Sequence, residues 1–415
     1  QYQVTVYDRE LRPGGHSHTV IIDYDGTPLA VDIGFIVYNE INYPGLTSLF
    51  AHLGVETTES NMDFAVTADN GRFEWKGGGG TWWTTAKGLF AQPTNLFSAS
   101  YLWMLRDILV FNVKSVEDRA TGVLRGLSLG DYFARRKFAP RLLTDYLAPM
   151  GAAIWSAPAD QIMDFPAENF VGFFDNHRLL QYDRPVWRTV KRGSRSYVEK
   201  LTANFSDLRL GCAVTSIKRS GHDVVVTDSF GRSETYDHVV VASHSDQALG
   251  MLDDASAEER AILGAIRYAP NTVYLHRDPH LMPKRKRAWA SWNFLRWRRQ
   301  DSALNDVAVT YWMNALQGID RDKPLFVSLN PPFEPDPSLT FGRYVCEHPQ
   351  YDGAAFEAQT RLNEIQGQRH TWFCGAWTGY GFHEDGLQSG LAVAEALGAS
   401  VPWQAPATAL AEAAE

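Results

Sequence analysis

The hydrophobic and polar positions between residues 373 and 398 predict a strand, a turn and a helix. A short apolar strand ends at Cys374, a turn rich in glycine and aromatic residues covers 375–382, and an amphipathic helix opens near Gly386. Glycine allows close backbone approach to a ligand, and the first amides of a helix lack intrahelical partners. We therefore interpret residues 373–398, named the clasp, as an anion or cofactor site. The same pattern is also typical of a core helix capped by Asp385.

Alternating residues at the start of the chain predict a second strand of interest. Residues 2–7 alternate and end at Asp8, and the pair Gly14–Gly15 follows. In dinucleotide-binding folds, an acid at the end of the second strand bonds a ribose, about 20 residues after a glycine-rich phosphate loop. Because no such loop precedes Asp8 here, we expect about 20–30 further residues upstream of Gln1, with the first strand and its phosphate loop.

The middle of the chain predicts strands of two kinds and one long apolar helix. Residues 28–39 predict a strand rich in Val and Ile that ends in Asp-x-Gly, either beside a ligand or as a plain hairpin strand with a turn glycine. Residues 211–229 predict two strands joined by a turn. Residues 236–246 indicate a buried strand, and residues 267–347 several antiparallel strands. The segment 97–112 predicts a helix that belongs to the core or a lid, lines a channel for an apolar substrate, or rests on a membrane.

Length, charge and cysteine count exclude several classes of protein. With 415 residues the chain exceeds one ordinary core, and its net charge of -9 argues against a nucleic-acid binder. Cys212, Cys346 and Cys374 are widely spaced, which indicates a reducing compartment and neither a disulfide framework nor a metal site. No secretory signal opens the sequence and no run of about 18 apolar residues occurs, so we expect a cytoplasmic protein.

Aromatic residues are abundant, with 13 Trp, 17 Tyr and 22 Phe. Large rings line apolar pockets, so we expect a roomy hydrophobic cavity. Residues 284–299 also interleave aromatic rings with cations, which predicts either peripheral contact with anionic lipid or a solvated hairpin edge protected by charge. The residues of that run are Lys284 to Arg287, Trp289, Trp292, Arg296, Trp297, Arg298 and Arg299.

Asp8, Arg12, Gly14, Gly15 and Thr19 match the second glycine motif of a known superfamily. With the clasp, they make the chain resemble the flavin amine oxidases and phytoene desaturases. It is similar to a bacterial branch of predicted NAD/FAD-binding proteins, which also resembles the N-terminal extension of plant cyclopropane fatty acid synthases. The resemblance extends through YLAPMGAAIWSAP, WRTVKRGSRSYV, AWASWNF, TYWMN and FHEDGL.

The resemblance implies an α/β fold, in which a glutathione-reductase-like, dinucleotide-binding FAD domain is interleaved with an α+β substrate domain built on an antiparallel sheet. It implies FAD parts at 1–57, 195–262 and 365–400, substrate parts at 58–194 and 263–364, and a tail at 401–415. Asp8 would bind the ribose, Gly14–Gly15 would pass the pyrophosphate, and Val214 would hold the adenine. The full implied set is Asp8, Arg12, Gly14, Gly15, His16, Thr19, Gly34, Phe35, Ile36, Val37, Val214, Gly375, Trp377, Asp385, Gly386 and Leu387.

Two positions depart from the pattern of the resembled family. Ala376 stands where many relatives carry an acid near the ribityl and phosphate groups, and this change is expected to weaken FAD binding. Arg192 interrupts a Gly-Gly-Ser sequence that often precedes the residue equivalent to Ser194.

The expected chemistry is oxidation of a hydrophobic substrate, because the cofactor accepts the hydride and the protein positions the C–H bond. A fatty-acyl or isoprenoid-like chain suits the aromatic composition, and candidate pocket residues are Tyr311, Trp312, Tyr344 and Tyr380. His383 and Glu384 are candidate acid or base groups, or structural residues of the turn. The alternatives are an amine or amino-acid oxidase, and a redox-neutral or non-catalytic flavoprotein that partners a lipid methyltransferase.

Overall fold

The computed structural model describes residues 2–78, 82–155, 161–181, 185–298 and 305–403. The strands are β1 Thr5–Tyr7, β2 Thr19–Tyr24, β3 Thr27–Asp32, β4 Val37–Asn39, β5 Thr57–Ser60, β6 Phe64–Ala68, β7 Phe73–Gly77, β8 Trp187–Val190, β9 Asp207–Arg209, β10 Val214–Ser220, β11 Asp223–Asp228, β12 Ser233–Tyr236, β13 Val239–Val241, β14 Arg267–His276, β15 Trp292–Arg298, β16 Asn305–Trp312, β17 Phe326–Leu329, β18 Thr340–Gln350 and β19 Thr371–Phe373.

The helices connect and cover these strands. They are α1 Pro44–Leu53, α2 Trp82–Leu89, α3 Ala99–Ala120, α4 Leu129–Arg136, α5 Pro140–Leu142, α6 Ala148–Trp155, α7 Ala167–Asn176, α8 Arg195–Thr202, α9 Ser245–Met251, α10 Ala257–Leu263, α11 Met313–Leu316, α12 Gly353–Thr360 and α13 His383–Ala396. A 3-10 turn, Pro93–Phe97, leads into α3.

One large sheet has the strand order β18-β14-β17-β16-β15-β6-β7. Among the described strands, its neighbouring pairs are antiparallel except β15 and β6, which run parallel. The predicted antiparallel sheet is therefore confirmed for residues 267–347, and the parallel pair makes the complete sheet mixed. Within that segment, strand character was expected to extend over 306–317, but it ends at Trp312 because the chain turns there into α11.

Two short parallel pairs represent the predicted dinucleotide-binding architecture. β1 pairs with β9, and β13 pairs with β19, so each pair joins distant parts of the chain. Parallel strands require such crossover connections. The α/β fold with an interleaved sheet-based unit is confirmed, while the exact domain boundaries stay a prediction.

The hairpin of β2 and β3 packs against the large sheet although it lies close in sequence to β1. Ile22 and Val31 of the hairpin share a buried cluster with Val273, Leu275 and Val327 of the sheet. Residues 19–32 thus contribute to the core beneath the large sheet. This packing fixes the position of the segment that follows β3.

Three predicted elements have different limits in the structure. The clasp helix begins at His383 instead of near Gly386, because the Asp385 carboxylate accepts the Phe382 backbone N–H at 2.9 Å and stabilises an earlier start. The predicted helix 97–112 becomes α3, which extends to Ala120. The buried strand predicted in 236–246 shortens to β13, whose Val240 is 43% exposed.

Candidate active site

The N-terminal glycine segment and the clasp meet in space. The His383 Nε2 atom lies 3.5 Å from Ser17 Oγ, and the His383 ring stacks on Phe35 with 4.1 Å between centroids. Phe35 in turn donates its backbone N–H to the His16 carbonyl at 2.9 Å. These two distant segments, whose residues the resemblance assigns to one FAD site, therefore lie side by side, and we call the space between them the cleft.

The Gly14–Gly15 turn presents backbone and a guanidinium to the cleft. Gly14 and Gly15 have φ angles of 107° and 53°, a region that favours glycine. Arg12 Nη2 donates to the Gly15 carbonyl at 2.9 Å, whereas Arg12 Nη1 is buried without a hydrogen-bond partner among the described residues. A buried, unpaired guanidinium nitrogen is costly, so this corner of the cleft suits an anion.

Close backbone packing explains two further glycines of the predicted site. A Cβ at Gly34 would lie 2.0 Å from the His16 carbonyl oxygen, so only glycine fits there. Gly375 has a φ of 145°, and its Cβ would lie 2.8 Å from the Trp377 ring. Trp377 is buried, and its Nε1 donates to the Ser243 carbonyl at 3.1 Å. These contacts join the clasp to the loop after β13.

Asp8 and Val214 are brought close together by backbone pairing next to Val214. The Cys212 backbone N–H donates to the Asp8 carbonyl at 2.8 Å, two residues before Val214 begins β10. The Asp8 carboxylate accepts the Glu10 backbone N–H at 2.9 Å. The structure therefore brings together the two residues predicted for the ribose and the adenine, and their ligand contacts stay a prediction.

Other predicted lining residues contribute partly to the core. The Ile36 carbonyl accepts a hydrogen bond from Thr189 Oγ1 at 2.7 Å, and Val37 pairs with Thr189 in the sheet of β4 and β8. Leu387 packs on the cluster formed around α1. A Cβ at Gly386 would lie 3.4 Å from the Ala376 backbone nitrogen, which brings the helix start close to the turn.

Asp32 organises a buried network that the sequence did not reveal. Its Oδ1 accepts hydrogen bonds from Thr19 Oγ1 at 2.5 Å and from Ser194 Oγ at 2.8 Å, and its Oδ2 accepts from Gln317 Nε2 at 2.8 Å. Burial raises the pKa of Asp32, while the hydrogen bonds from Thr19 and Ser194 oppose that shift. Thr19, predicted to contact the cofactor, thus has its hydroxyl engaged by Asp32.

The acidic pair of the clasp, Glu384 and Asp385, stabilises the local backbone by accepting hydrogen bonds from its N–H groups. Glu384 is buried; its Oε1 accepts the Gly45 N–H at 2.8 Å and its Oε2 the Leu46 N–H at 2.9 Å, at the start of α1. Asp385 Oδ2 accepts the N–H groups of Tyr380 and Phe382 at 3.0 and 2.9 Å. These contacts favour a structural role for Glu384, and its catalytic role stays a prediction.

His383 belongs to a short chain of polar groups. Its Nε2 lies 2.5 Å from the Tyr197 hydroxyl, which lies 2.5 Å from Ser17 Oγ. Burial lowers the pKa of His383 to about 4 and raises the pKa of Tyr197 to about 12. Both groups are therefore neutral near pH 7, and a neutral imidazole is chemically a base.

Histidines gather around His16. The His16 ring centroid lies 5.6 Å from that of His348 and 6.2 Å from that of His244. Desolvation and the neighbouring His244 lower the pKa of His16, and desolvation lowers the pKa of His348 to about 4. His244 stacks on Tyr268 at 4.2 Å. The recurrence of His in GHSH, SHSD and EHP is the only sequence signal of this cluster.

The sequence comparison decides the family. A family model described as flavin containing amine oxidoreductase matches residues 2–314. The chain belongs to this family. The match covers more than half of the chain and includes the N-terminal glycine segment. No curated protein matches the chain in sequence.

Solved structures share the fold of this flavin amine oxidoreductase at low sequence identity. A CLA-producing fatty acid isomerase from P. acnes has a TM-score of 0.60 at 15% identity, over 94% of this chain and 92% of the isomerase. Wild-type putrescine oxidase bound to putrescine has a TM-score of 0.63 at 14% identity, over 95% and 93%. Cyclohexylamine oxidase from Brevibacterium oxydans has a TM-score of 0.60 at 14% identity, over 95% and 94%.

The cofactor of this amine oxidoreductase is FAD, and the cleft fits it. The unpaired Arg12 Nη1 and the positive-φ pair Gly14–Gly15 suit a pyrophosphate. Amides at the start of a helix can bind electron-rich oxygen, but in α13 the Gly386 N–H already donates to the Phe382 carbonyl at 3.2 Å. The amides available to a ligand therefore precede Gly386, whereas the sequence had suggested that they begin near Gly386.

The two departures from the family pattern both lie in short turns of the backbone. The Ala376 carbonyl accepts the Gly379 and Gly381 N–H groups at 3.2 and 3.1 Å, so the turn forms without a side chain at that position. Arg192 adopts a φ of 67°, a left-handed conformation that glycine accepts more readily.

The four predicted pocket residues of the amine oxidoreductase do not lie together. Tyr311 and Trp312 are consecutive in β16, so they point to opposite faces of the sheet. Tyr311 contacts Trp292, whereas Trp312 contacts Trp289. Grouping Tyr311 and Trp312 in one pocket was therefore wrong.

The remaining two pocket candidates lie on different parts of the molecule. Tyr344 packs on the same buried cluster as Tyr311 and lies 5.7 Å from the His18 ring. Tyr380 belongs to the clasp and contacts the rings of Phe173 and Phe356 at 5.8 and 6.0 Å. Tyr380 is thus the pocket candidate attached directly to the cleft.

Proposed function

We propose that this FAD-dependent oxidoreductase oxidises a hydrophobic substrate, such as a fatty-acyl or isoprenoid chain, by removing hydrogen from a C–H bond. FAD supplies the hydride acceptor when it is bound. The protein's own residues bind the chain, orient it and exclude water. The proposal is supported by the charge state and the hydrogen bonding of the cleft.

The observation that carries the proposal is the engagement of the carboxylates. Recognition of an ammonium group favours an available carboxylate or an aromatic cage. Asp32, Glu384 and Asp385 each accept at least two hydrogen bonds from the protein. Glu347, 3.7 Å from His244 Nδ1, is the carboxylate that an amine substrate would use.

The histidine side chains near the clasp are neutral, and the wall beside it is aromatic. The lowered pKa values of His16, His348 and His383 keep these rings uncharged near pH 7. Phe382 stacks on Phe173 at 5.0 Å between centroids. Aromatic walls with few charges suit a substrate that has a long apolar part.

The solved relatives are compatible with either substrate class. The fold is shared with a fatty acid isomerase and with oxidases of putrescine and cyclohexylamine. Because function depends on the site and not on the fold, we base the choice of an apolar substrate on the local chemistry of the cleft.

Anaerobic bleaching of the flavin tests the proposal. FAD-loaded protein is mixed with a long-chain neutral lipid or with a primary amine of the same chain length. We expect the neutral chain to bleach the flavin and to lose two hydrogens, which mass spectrometry detects. Bleaching by the amine alone, abolished by Glu347→Gln, would establish the amine oxidase alternative.

A third outcome separates redox-neutral chemistry from oxidation. Movement of a double bond in the lipid without net bleaching would contradict the proposed oxidation and favour an isomerase. Association with a lipid methyltransferase stays a prediction, and co-purification of the two proteins with retained flavin would support it.

A further inference from the structure

The outward face of α3 exposes several large apolar side chains. Leu102, Trp103, Leu109 and Val113 are between 44% and 56% exposed. In the preceding 3-10 turn, Leu96 is 49% and Phe97 is 90% exposed. Single exposed apolar residues are ordinary, but a contiguous group marks an interaction surface. We name these six residues the α3 outer face.

Helix geometry separates this face from the core. Residues 102, 106, 109 and 113 follow the three- and four-residue spacing of one helical face. The opposite face carries Tyr101, Met104 and Phe111, which are fully buried. Since the inner face already supplies the packing of α3, the protein's core does not account for the apolar residues outside.

The sequence that leads into the α3 outer face lacks acidic residues and carries exposed cations. The protein has 48 acidic residues among 415, yet none lies between Trp75 and Arg106. Lys87 is exposed, and the Arg106 side chain is 62% exposed and lies 5.1 Å from the Trp103 ring. Arg106 also pairs with Asp107 at 3.1 Å, which leaves much of the guanidinium in solvent.

We propose that the α3 outer face docks on the surface of a bilayer that contains anionic lipids. Phe97 and the leucines would enter the boundary between headgroups and acyl chains, as apolar faces of interfacial helices do. Trp103 would lie at headgroup level, and Lys87 and Arg106 would contact lipid phosphates. Among the described helices, none has the length and hydropathy to cross a membrane, so the contact is peripheral.

The structure favours this surface over residues 284–299. Arg285 pairs with the buried Glu74 at 2.8 Å, and Arg296 pairs with the buried Asp145 at 3.0 Å. Trp289 packs against Trp312 at 5.5 Å between centroids. Several cations and rings of that run are thus engaged within the protein, and Arg299 lies outside the described residues.

Flotation with lipid vesicles tests the docking surface without any turnover. FAD-loaded protein is mixed with vesicles of phosphatidylcholine alone or of phosphatidylcholine with phosphatidylglycerol. We expect binding to the anionic vesicles, and a decrease of about tenfold in the partition coefficient for Phe97→Ser or Trp103→Ser, because each removes a large apolar group that would leave water on docking. Lys87→Gln with Arg106→Gln should reduce the preference for anionic lipid.

Phe230→Ser is the matched control, since Phe230 is 67% exposed and belongs to the turn between β11 and β12. It should bind vesicles as the wild-type protein does. Unchanged flavin content and thermal midpoint would show that each variant is folded. Absence of wild-type binding, or equal binding by Phe97→Ser, would overturn the proposal.

Light scattering after size exclusion identifies other occupants of the face. A wild-type dimer that dissociates in Phe97→Ser and Trp103→Ser would assign the face to self-association and contradict the lipid proposal. Vesicle binding by a monomer, lost in the same variants, would support it. The result stands whether or not a lipid is the substrate, because binding and flavin bleaching are measured separately.

Discussion

Replacement of Glu384 by Gln tests whether this residue acts in structure or in catalysis. In the protein, Glu384 Oε1 accepts from Gly45 N–H at 2.8 Å and from Gln388 Nε2 at 2.7 Å, while Oε2 accepts from Leu46 N–H at 2.9 Å. A glutamine has the same shape but only one acceptor oxygen. Its NH2 group would therefore face a backbone N–H at the start of α1.

The expected loss of stability follows from the backbone N–H that the glutamine leaves without an acceptor. A buried donor left without a partner costs about 1–3 kcal/mol, and hydrogen bonds to a charged acceptor are worth about 1.5–3 kcal/mol each. We expect Glu384→Gln to destabilise the region around α1 by about 2–4 kcal/mol. Loss of the negative charge near the N-terminus of α1 also lowers the stability of this region.

Hydrogen exchange of the peptide 44–53 measures this local effect in FAD-loaded protein. Exchange should become faster in Glu384→Gln, while flavin bleaching by a substrate keeps a rate within a few-fold of wild type. Glu395→Gln makes the same change at an exposed position of α13 and serves as the control. Unchanged exchange together with a loss of flavin reduction of about 100-fold or more, as for a lost acid–base group, would refute the structural assignment.

Three further perturbations have defined outcomes. Arg12→Met should weaken FAD retention about tenfold, measured by fluorescence of released flavin, whereas Arg9→Met at a nearby exposed position should not. Gly34→Ala should lower the unfolding midpoint because its Cβ would meet the His16 carbonyl at 2.0 Å; Gly250→Ala, with open space around it, should not. Burial lowers the pKa of His276 to about 4, so its contribution is complete above pH 6.5 and is lost as pH falls toward 4, by about 3 kcal/mol. Denaturant titration across this range should show a shallower pH dependence in His276→Gln, and an identical profile would contradict the buried neutral state.

The sequence predicted those parts of the site that depend on local spacing. Asp8, Gly14 and Gly15 are close in sequence, and the turn-then-helix pattern of the clasp is also local. The structure shows that these segments meet, through Ser17 and His383. The period of two along a strand also places the neighbours Tyr311 and Trp312 on opposite faces of the sheet.

Long-range partners were not predictable from the sequence. Asp32 receives hydrogen bonds from Ser194 and Gln317, which lie 162 and 285 residues further along the chain. The backbone partners of Glu384 lie at the start of α1, more than 300 residues away. A single sequence gives the chemical types of these groups but not their pairing, since no local pattern depends on it.

The Ser17–Tyr197–His383 chain also bears on biosynthesis. Its outer members are separated by 366 residues, and the middle member lies about halfway between them. Translation proceeds from the N-terminus, and contacts of high sequence separation form slowly. A ribosome-bound nascent chain that has not yet emerged through His383 therefore lacks the contact between the glycine segment and the clasp, and we expect flavin loading to be a late event of maturation.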